Sequence, residues 1–284
     1  MTKIPFIKMN GAGNDFVIID ARKDSPILDK DTIISLASRS NKDSGGCDQL
    51  LILKNSDAAD VFMQIYNTDG SEAKACGNAT RCVAWLIFGE KPDASQVSVQ
   101  TIERILTCKI RSGLESLFAG EDAIIEADMG KAVAIASEGD LISIGREAGI
   151  AQVKAALRVD VGNPHVIFFV GEQDLNDSVF RKAGAFLQTH KLFPGGVNVT
   201  IASVADRKTL DTNVWERGVG ITQACGTAAC ASGFAAIELG YCDPETDIKI
   251  NIGSGKNARI LLVNGTKNGN ITLIGPVKLD FYFE

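Results

Sequence analysis

Histidine is nearly absent from this 284-residue chain, which carries only His165 and His190. Cys-x-x-Cys and His-x-x-x-His spacings are missing as well, so a zinc site is not expected and metal ligands are assigned to none. No pyridoxal-phosphate signature is identifiable, and no cofactor is expected. No window approaches about 18 continuous apolar residues, which argues against a membrane span. The opening MTKIPFIKMN lacks a signal peptide's apolar core, and a cytoplasmic location is expected. Basic charge is in short supply: 29 Lys and Arg stand against 35 Asp and Glu, and no basic patch stands out. Nucleic acid is therefore not an expected partner. Low-complexity segments and long charge runs are also lacking. What remains is ordinary for a soluble globular protein, 45% hydrophobic and 23% charged. The seven cysteines (47, 76, 82, 108, 225, 230 and 242) are an odd number without an export signal, which favours free thiols over disulfides.

The chain is organised around Trp215 to Leu239, WERGVGITQACGTAACASGFAAIEL. A charged pair, Glu216-Arg217, leads through a glycine-rich turn to Cys225-Gly226-Thr227, and a dozen small and apolar residues follow. The pattern reads as a helix N-terminus with Cys225 at or beside the cap, and with no polar face before Glu238 the helix should be buried all round. A twin runs from Tyr66 to Phe88, YNTDGSEAKACGNATRCVAWLIF. Cys76 and Cys225 stand 149 positions apart (225 − 76), and the same offset joins Tyr66 to Trp215, Asn14 to Asn163 and Gln49 to Asn198. One offset aligning three separate segments points to an internal duplication.

Each half reads as several short strands with one apolar helix. Strands are expected at Ile4–Met9, Phe16–Asp20, Gln49–Lys54 and Val61–Tyr66 in the first half, then at Val97–Thr101, Ile105–Arg111 and Ala123–Asp128. A helix capped by Asp29 or Asp31 is expected over Asp31 to Arg39. In the second half, strands are expected at Val159–Val161, Val166–Val170, Val197–Val204 and Lys208–Trp215, then near Ile248–Ile252, Ala258–Val263 and Asn270–Ile274. A helix is expected from about Ser178 to His190. A helix that is apolar on every side requires a sheet that curls around it. The expected class is α+β: two pseudo-symmetric domains from an internal duplication, each a curled, mostly antiparallel sheet or barrel around a central helix, with the active site in the cleft between them. The loop Leu114 to Glu121 suggests domains at 1–121 and 122–275, with a C-terminal strand, 276–284, returning to the first.

A thiol at a helix N-terminus has its thiolate stabilised. Free first-turn N–H groups at Gly77-Asn78 and Gly226-Thr227 would form an anion site. A carboxylate held there presents its α-carbon to two sulfurs, one on each face. One sulfur can remove the α-proton while the other donates from the opposite side, inverting the centre.

The segments MNGAGNDF (9–16), DQLLIL (48–53), NTDGSEAKACGNATRC (67–82), GNPH (162–165), VNV (197–199) and ERGVGITQACGTAACA (216–231) resemble those of diaminopimelate epimerases over nearly the whole chain. The resemblance implies cofactor-independent conversion of LL- to meso-diaminopimelate, in lysine and cell-wall precursor synthesis. It implies that Cys76 and Cys225 are the acid/base pair and that His165 and Glu216 tune them. It also implies substrate contacts from Asn14, Gln49, Asn67, Gly77, Asn78, Asn163, Asn198, Glu216, Arg217, Gly226 and Thr227. A homodimer is suggested, with Phe281-Tyr282-Phe283 a candidate contact. Asn10, Ala79 and Ala228 depart from residues the family often has, and leave the cysteines intact.

Two alternatives stay open. Proline or hydroxyproline racemases also use two cysteines, but usually show His after the first Cys-Gly and an acidic residue shortly before the second Cys; here Asn78 and Gln223-Ala224 stand instead. A dithiol redox sensor or binding module would need no Asn/Arg constellation.

Overall fold

A computed structural model of the chain describes residues 4–23, 28–137, 139–172, 175, 177–222, 224–253 and 258–284; Gln223 lies outside them. The chain divides into two compact units, Met1–Asp128 with Ile274–Glu284, and Met129–Leu273. The division falls inside a strand rather than in the loop 114–121.

The first unit contains β1 (Phe6–Gly11), β2 (Asn14–Asp20), α1 (Lys30–Ala37), β3 (Gln49–Lys54), β4 (Val61–Asn67), β5 (Glu72–Ala73), α2 (Gly77–Glu90), β6 (Val97–Gln100), β7 (Ile105–Ile110) and β8 (Ala123–Lys131). Pairing runs β1–β2–β3–β4–β6–β7–β8, parallel at β2–β3 and β4–β6 and otherwise antiparallel where the register is defined. The C-terminal strand β17 (Asn270–Phe283) pairs with both β8 and β1 and closes an eight-stranded barrel. Gly275-Pro276 does not interrupt that strand. It therefore runs on where the sequence suggested separate strands at 270–274 and 276–284.

The parallel pair β2–β3 is buried on both faces. Val17, Ile19, Leu50 and Ile52 pack with Ile33 and Ala37 of α1 on one side. Phe16, Ile18, Leu51 and Leu53, of opposite strand parity, are equally buried. Double burial explains why these strands are continuous apolar runs rather than alternating ones. Asp29 caps α1, its carboxylate accepting from Thr32 N at 2.8 Å.

The second unit contains β9 (Val133–Ile135), α3 (Leu141–Glu147), β10 (Ala155–Asp160), β11 (Pro164–Val170), α4 (Asp177–Leu187), β12 (Asn198–Asp206), β13 (Thr209–Glu216), β14 (Gly220–Thr222), α5 (Gly226–Glu238), β15 (Asp247–Ile252) and β16 (Arg259–Gly265). Its sheet wraps around α5, which touches β10, β11, β12, β15 and β16. Phe168, Val166 and Val170 pack outward with Phe180, Ala183 and Leu187 of α4. The central parallel pair, β11–β12, is again covered on both faces.

Strand registers repeat the 149-residue offset. Phe16 faces Gln49 as His165 faces Asn198, Leu50 faces Tyr66 as Val199 faces Trp215, and Ile65 faces Ala73 as Val214 faces Thr222. Symmetry lapses at the first hairpin, where the Gly11–Asn14 turn becomes one residue longer at Asp160–Pro164.

The helix α5 is buried from Ala228 through Ile237. The helix α2 departs from the expectation of an all-apolar helix. It carries a wholly buried arginine, Arg81, whose Nη2 donates to Asn78 Oδ1 at 3.0 Å. The short elements β5, β9, β14 and α3 were not foreseen, because a few residues give too little periodicity to read.

Close packing against α2 generates a prediction. A Cβ on Gly11 would sit 2.9 Å from Asn78 O and 3.2 Å from Cys82 Sγ, whereas one on Gly89 meets nothing within 4 Å. Gly11→Ala should therefore destabilise the protein by about 1–3 kcal/mol in urea unfolding. Gly89→Ala, at an exposed helical position, should stabilise it by about 0.5–1 kcal/mol. Equal effects at both positions would refute the packing argument.

Candidate active site

Both helices begin immediately after a cysteine. Cys76 is the N-cap of α2 and Cys225 that of α5, each with extended backbone and neither making a side-chain cap hydrogen bond to its helix. Ser, Thr, Asp or Asn at such a position would occupy the N2 or N3 N–H. With cysteine there, the first-turn N–H groups remain aimed outward, and the helix dipole favours negative charge at that end. Cys76 is half-buried, and Cys225 is only 6% exposed.

In the first unit Asn14 opens β2 and its Oδ1 lies 3.9 Å from Cys76 Sγ, within reach of a thiol hydrogen bond. Gln49 opens β3 directly across from Asn67 at the end of β4, and Gln49 Nε2 donates to Asn67 Oδ1 at 3.1 Å. Asn67 Nδ2 donates in turn to Ser71 Oγ at 3.1 Å. Asn78 is buried in the first turn of α2, its oxygen held by Arg81. The turn before Asn14 is tied by Asn10, whose Oδ1 accepts from Gly13 N at 2.7 Å.

In the second unit the thiol of Cys225 lies 3.5 Å from Thr227 Oγ1. Asn163 Nδ2 donates to that hydroxyl at 3.3 Å, and Asn163 Oδ1 lies 2.9 Å from His165 Nε2. The path from His165 to Cys225 thus runs through Asn163 and Thr227. Burial, and then the positive charge of Arg217, push the His165 pKa down to about 3, so the ring is neutral at ordinary pH. Asn198 Nδ2 donates to Pro164 O at 3.2 Å, and its Oδ1 accepts from the Arg217 backbone N–H at 2.9 Å. The exposed Arg217 guanidinium donates to Gly195 O at 2.6 Å. It crosses Gly196, where a Cβ would fall 2.5 Å from Arg217 Cδ and where φ is +73°. Burial raises the carboxyl of Glu216 above its usual range, opposed by the adjacent Thr222 and Cys225 side chains.

Each unit therefore gathers its own half of the expected set. Asn14 lies against Cys76, Gly77 and Asn78 follow it in α2, and Gln49 and Asn67 pair with each other in the same unit. Asn163, His165, Asn198, Glu216, Arg217, Gly226 and Thr227 accompany Cys225. Sequence reading missed the charged group behind Asn14, made of Lys8, Asp15, Arg39 and Asp48. Burial alone would raise the Asp15 carboxyl, but the Arg39 and Lys8 cations outweigh it and hold it well below the usual range. Its members are scattered over forty residues, so spacing carries no signal of it. Among the described residues no group of three or more His, Cys, Asp and Glu is placed to hold a metal ion, and no helix is long and apolar enough to cross a membrane.

Comparison with known proteins gives the class, an isomerase of the epimerase type, and narrows it further. A diaminopimelate epimerase from Rhizorhabdus wittichii is 37% identical over 288 residues, covering 99% of this chain and 95% of its own. The family model described as diaminopimelate epimerase matches residues 6–135 and 157–279, and the chain belongs to that family. The fold is shared more widely. The structure of a PhzF-family phenazine biosynthesis protein from Bacillus anthracis superposes with a TM-score of 0.74 at 16% identity, covering 100% of this chain and 99% of that one. A hydroxyproline epimerase from Agrobacterium vitis gives 0.62 at 11% identity, covering 98% and 90%.

The raised Glu216 carboxyl sets a testable sign. A carboxyl with a raised folded pKa favours the folded state below its unfolded value, about 4.3, and loses that contribution as pH rises through the folded value. Glu216→Gln removes the buried charge, so its Tm should exceed that of the parent near about pH 7, with the gap closing below about pH 4. A gap that does not vary with pH would show that Glu216 is not strained by ionisation.

Proposed function

We propose that the chain inverts one α-carbon of LL-diaminopimelate to give the meso isomer, using Cys76 and Cys225 as a thiol/thiolate pair without a cofactor. The observation that carries this reading is the matched capping of two buried helices by cysteines that make no cap hydrogen bond. In the proposed reaction the substrate's α-carboxylate is anchored by the first-turn N–H groups at Gly77-Asn78 and Gly226-Thr227. A thiolate on one face takes the α-proton, and charge spreads into the carboxylate as an enediolate, where those N–H groups stabilise it. One such donor contributes roughly 3–4 kcal/mol in other enzymes. The thiol on the other face then gives its proton to the carbon, and the two sulfurs exchange protonation states. Two like charges sharing a small site are unfavourable, so the pair titrates as a unit.

The remaining assignments belong to the same reading. Asn14, Gln49, Asn67, Asn163, Asn198 and Arg217 grip the two-ended substrate, and the exposed guanidinium suits a distal carboxylate. Glu216 tunes Cys225 directly, and His165 orients Asn163 and Thr227 as a neutral ring. The expected pathway is lysine and cell-wall precursor synthesis, the expected location the cytoplasm, and the expected assembly a homodimer in which the exposed Phe281 and Tyr282 take part.

Epimerisation of LL-diaminopimelate should be readily measured, with proline left unchanged; the opposite preference would overturn the substrate assignment. In heavy water, early product should carry deuterium at the inverted centre while recovered substrate stays largely unlabelled. Cys76→Ala and Cys225→Ala should each abolish epimerisation, and near-parental turnover by either would rule out two-base chemistry. Arg217→Ala should lower kcat/KM by about 10- to 100-fold, the range for a lost charge-assisted contact.

A further inference from the structure

The charged group behind Asn14 is wired toward Cys76. Arg39 Nη1 and Nη2 donate to the two carboxylate oxygens of Asp15 at 2.6 and 2.8 Å, and Nη2 also donates to Asp48 Oδ1 at 2.6 Å. Lys8 Nζ donates to Asp15 Oδ2 at 2.7 Å and to Gly46 O. The two aspartates lock the start of the parallel pair: Asp15 N donates to Asp48 Oδ2 and Asp48 N to Asp15 Oδ1, both at 3.1 Å. The Asp48 Oδ2 atom also accepts from Asn14 Nδ2 at 2.7 Å. An ionised carboxylate only accepts, so Asn14 can offer it nothing but its nitrogen. The amide oxygen is thereby turned away from Asp48, and it is the atom 3.9 Å from Cys76 Sγ.

The duplicated half serves as an internal control. At the 149-residue offset Asp15 becomes Pro164 and Asp48 becomes Val197, yet β11 and β12 form the same parallel pair in the same register as β2 and β3. The strands therefore do not need the acidic pair in order to associate. The asparagine common to both halves is wired differently in the second, where Asn163 Nδ2 faces Thr227 and its oxygen faces His165. The carboxylates thus distinguish the Cys76 side from the Cys225 side without being demanded by the fold.

We propose that Asp48, held by Arg39 and Asp15, is a positioning residue that fixes the amide of Asn14 with its oxygen toward Cys76. The proposal rests on the two-base reading. An oxygen in that place accepts a hydrogen bond from the Cys76 thiol or from a substrate N–H. An unheld amide would turn its NH2 there part of the time, and that group accepts neither.

The test uses the full chain and LL-diaminopimelate. If the parent protein does not epimerise it, the functional reading fails, and the variants are not needed to show that. With an active parent, Asp48→Ala should lower kcat/KM by about 10- to 100-fold, the range for a charge-assisted hydrogen bond. Asp48→Asn, whose carbonyl can still accept from Asn14 Nδ2, should recover most of that loss. On an Asn14→Ala background Asp48→Ala should add no more than about a two-fold further loss, because a residue acting through another is not additive with it. Should Asp48→Ala fail to fold, Arg39→Met gives the same comparison at an exposed side chain: a several-fold loss with Asn14 present and none with Asn14→Ala. Parental kcat/KM in Asp48→Ala, no rescue by Asp48→Asn, or losses that multiply in the double variant would each overturn the proposal.

Discussion

Burying a helix with almost no polar face is the constraint from which the rest of the structure follows. One sheet face cannot cover such a cylinder, so in the first unit the strands close into a barrel around α2, and in the second they wrap around α5. The strands nearest each helix must also be covered from outside, which is the task of α1 in one unit and α4 in the other. The small residues of α5 allow strands to approach closely; a Cβ on Gly233 would fall 2.8 Å from Val263. A helix held this firmly presents its N-terminus in one fixed orientation, with cysteine in the cap position.

Capping chemistry then couples stability to function. A residue that satisfied the first-turn N–H groups would stabilise each helix by about 0.5–2 kcal/mol. Cysteine forgoes that contribution, and under the proposed reading the N–H groups serve an anion instead. The surrounding packing makes the loss tolerable, because helices in folded proteins draw most of their stability from tertiary contacts.

Duplication gives two equivalent scaffolds whose side chains have diverged. Asn67 corresponds to Glu216, Phe16 to His165 and Gln49 to Asn198, each at the same register position of its strand. One cysteine therefore sits among neutral amides backed by an ion-paired cluster. The other sits beside a carboxyl that resists ionisation and a ring that resists protonation. Those unlike surroundings bias the ionisation of the two thiols differently, which suits the proposed reading in which they hold different protonation states at one moment.

Much of this was determined by local sequence. The cysteine caps, the two apolar helices, the 149-residue repeat and strands such as Gln49–Lys54 follow from composition and period, which act over a few residues and survive in any context. The amides opening β2, β3 and β12, and Asn163 in the turn before β11, were legible because the repeat pairs them. Tertiary structure alone decided which strands lie side by side, that β17 closes the barrel, and that Arg81 is wholly buried in a helix that reads as apolar. It also decided that Lys8, Asp15, Arg39 and Asp48 converge on one amide, and that His165 reaches Cys225 through Asn163 and Thr227 rather than by touching it. Strand pairing and charge clustering join residues distant in the chain, and their energies depend on burial and on angles of a few tens of degrees. Neither quantity exists until the backbone has closed.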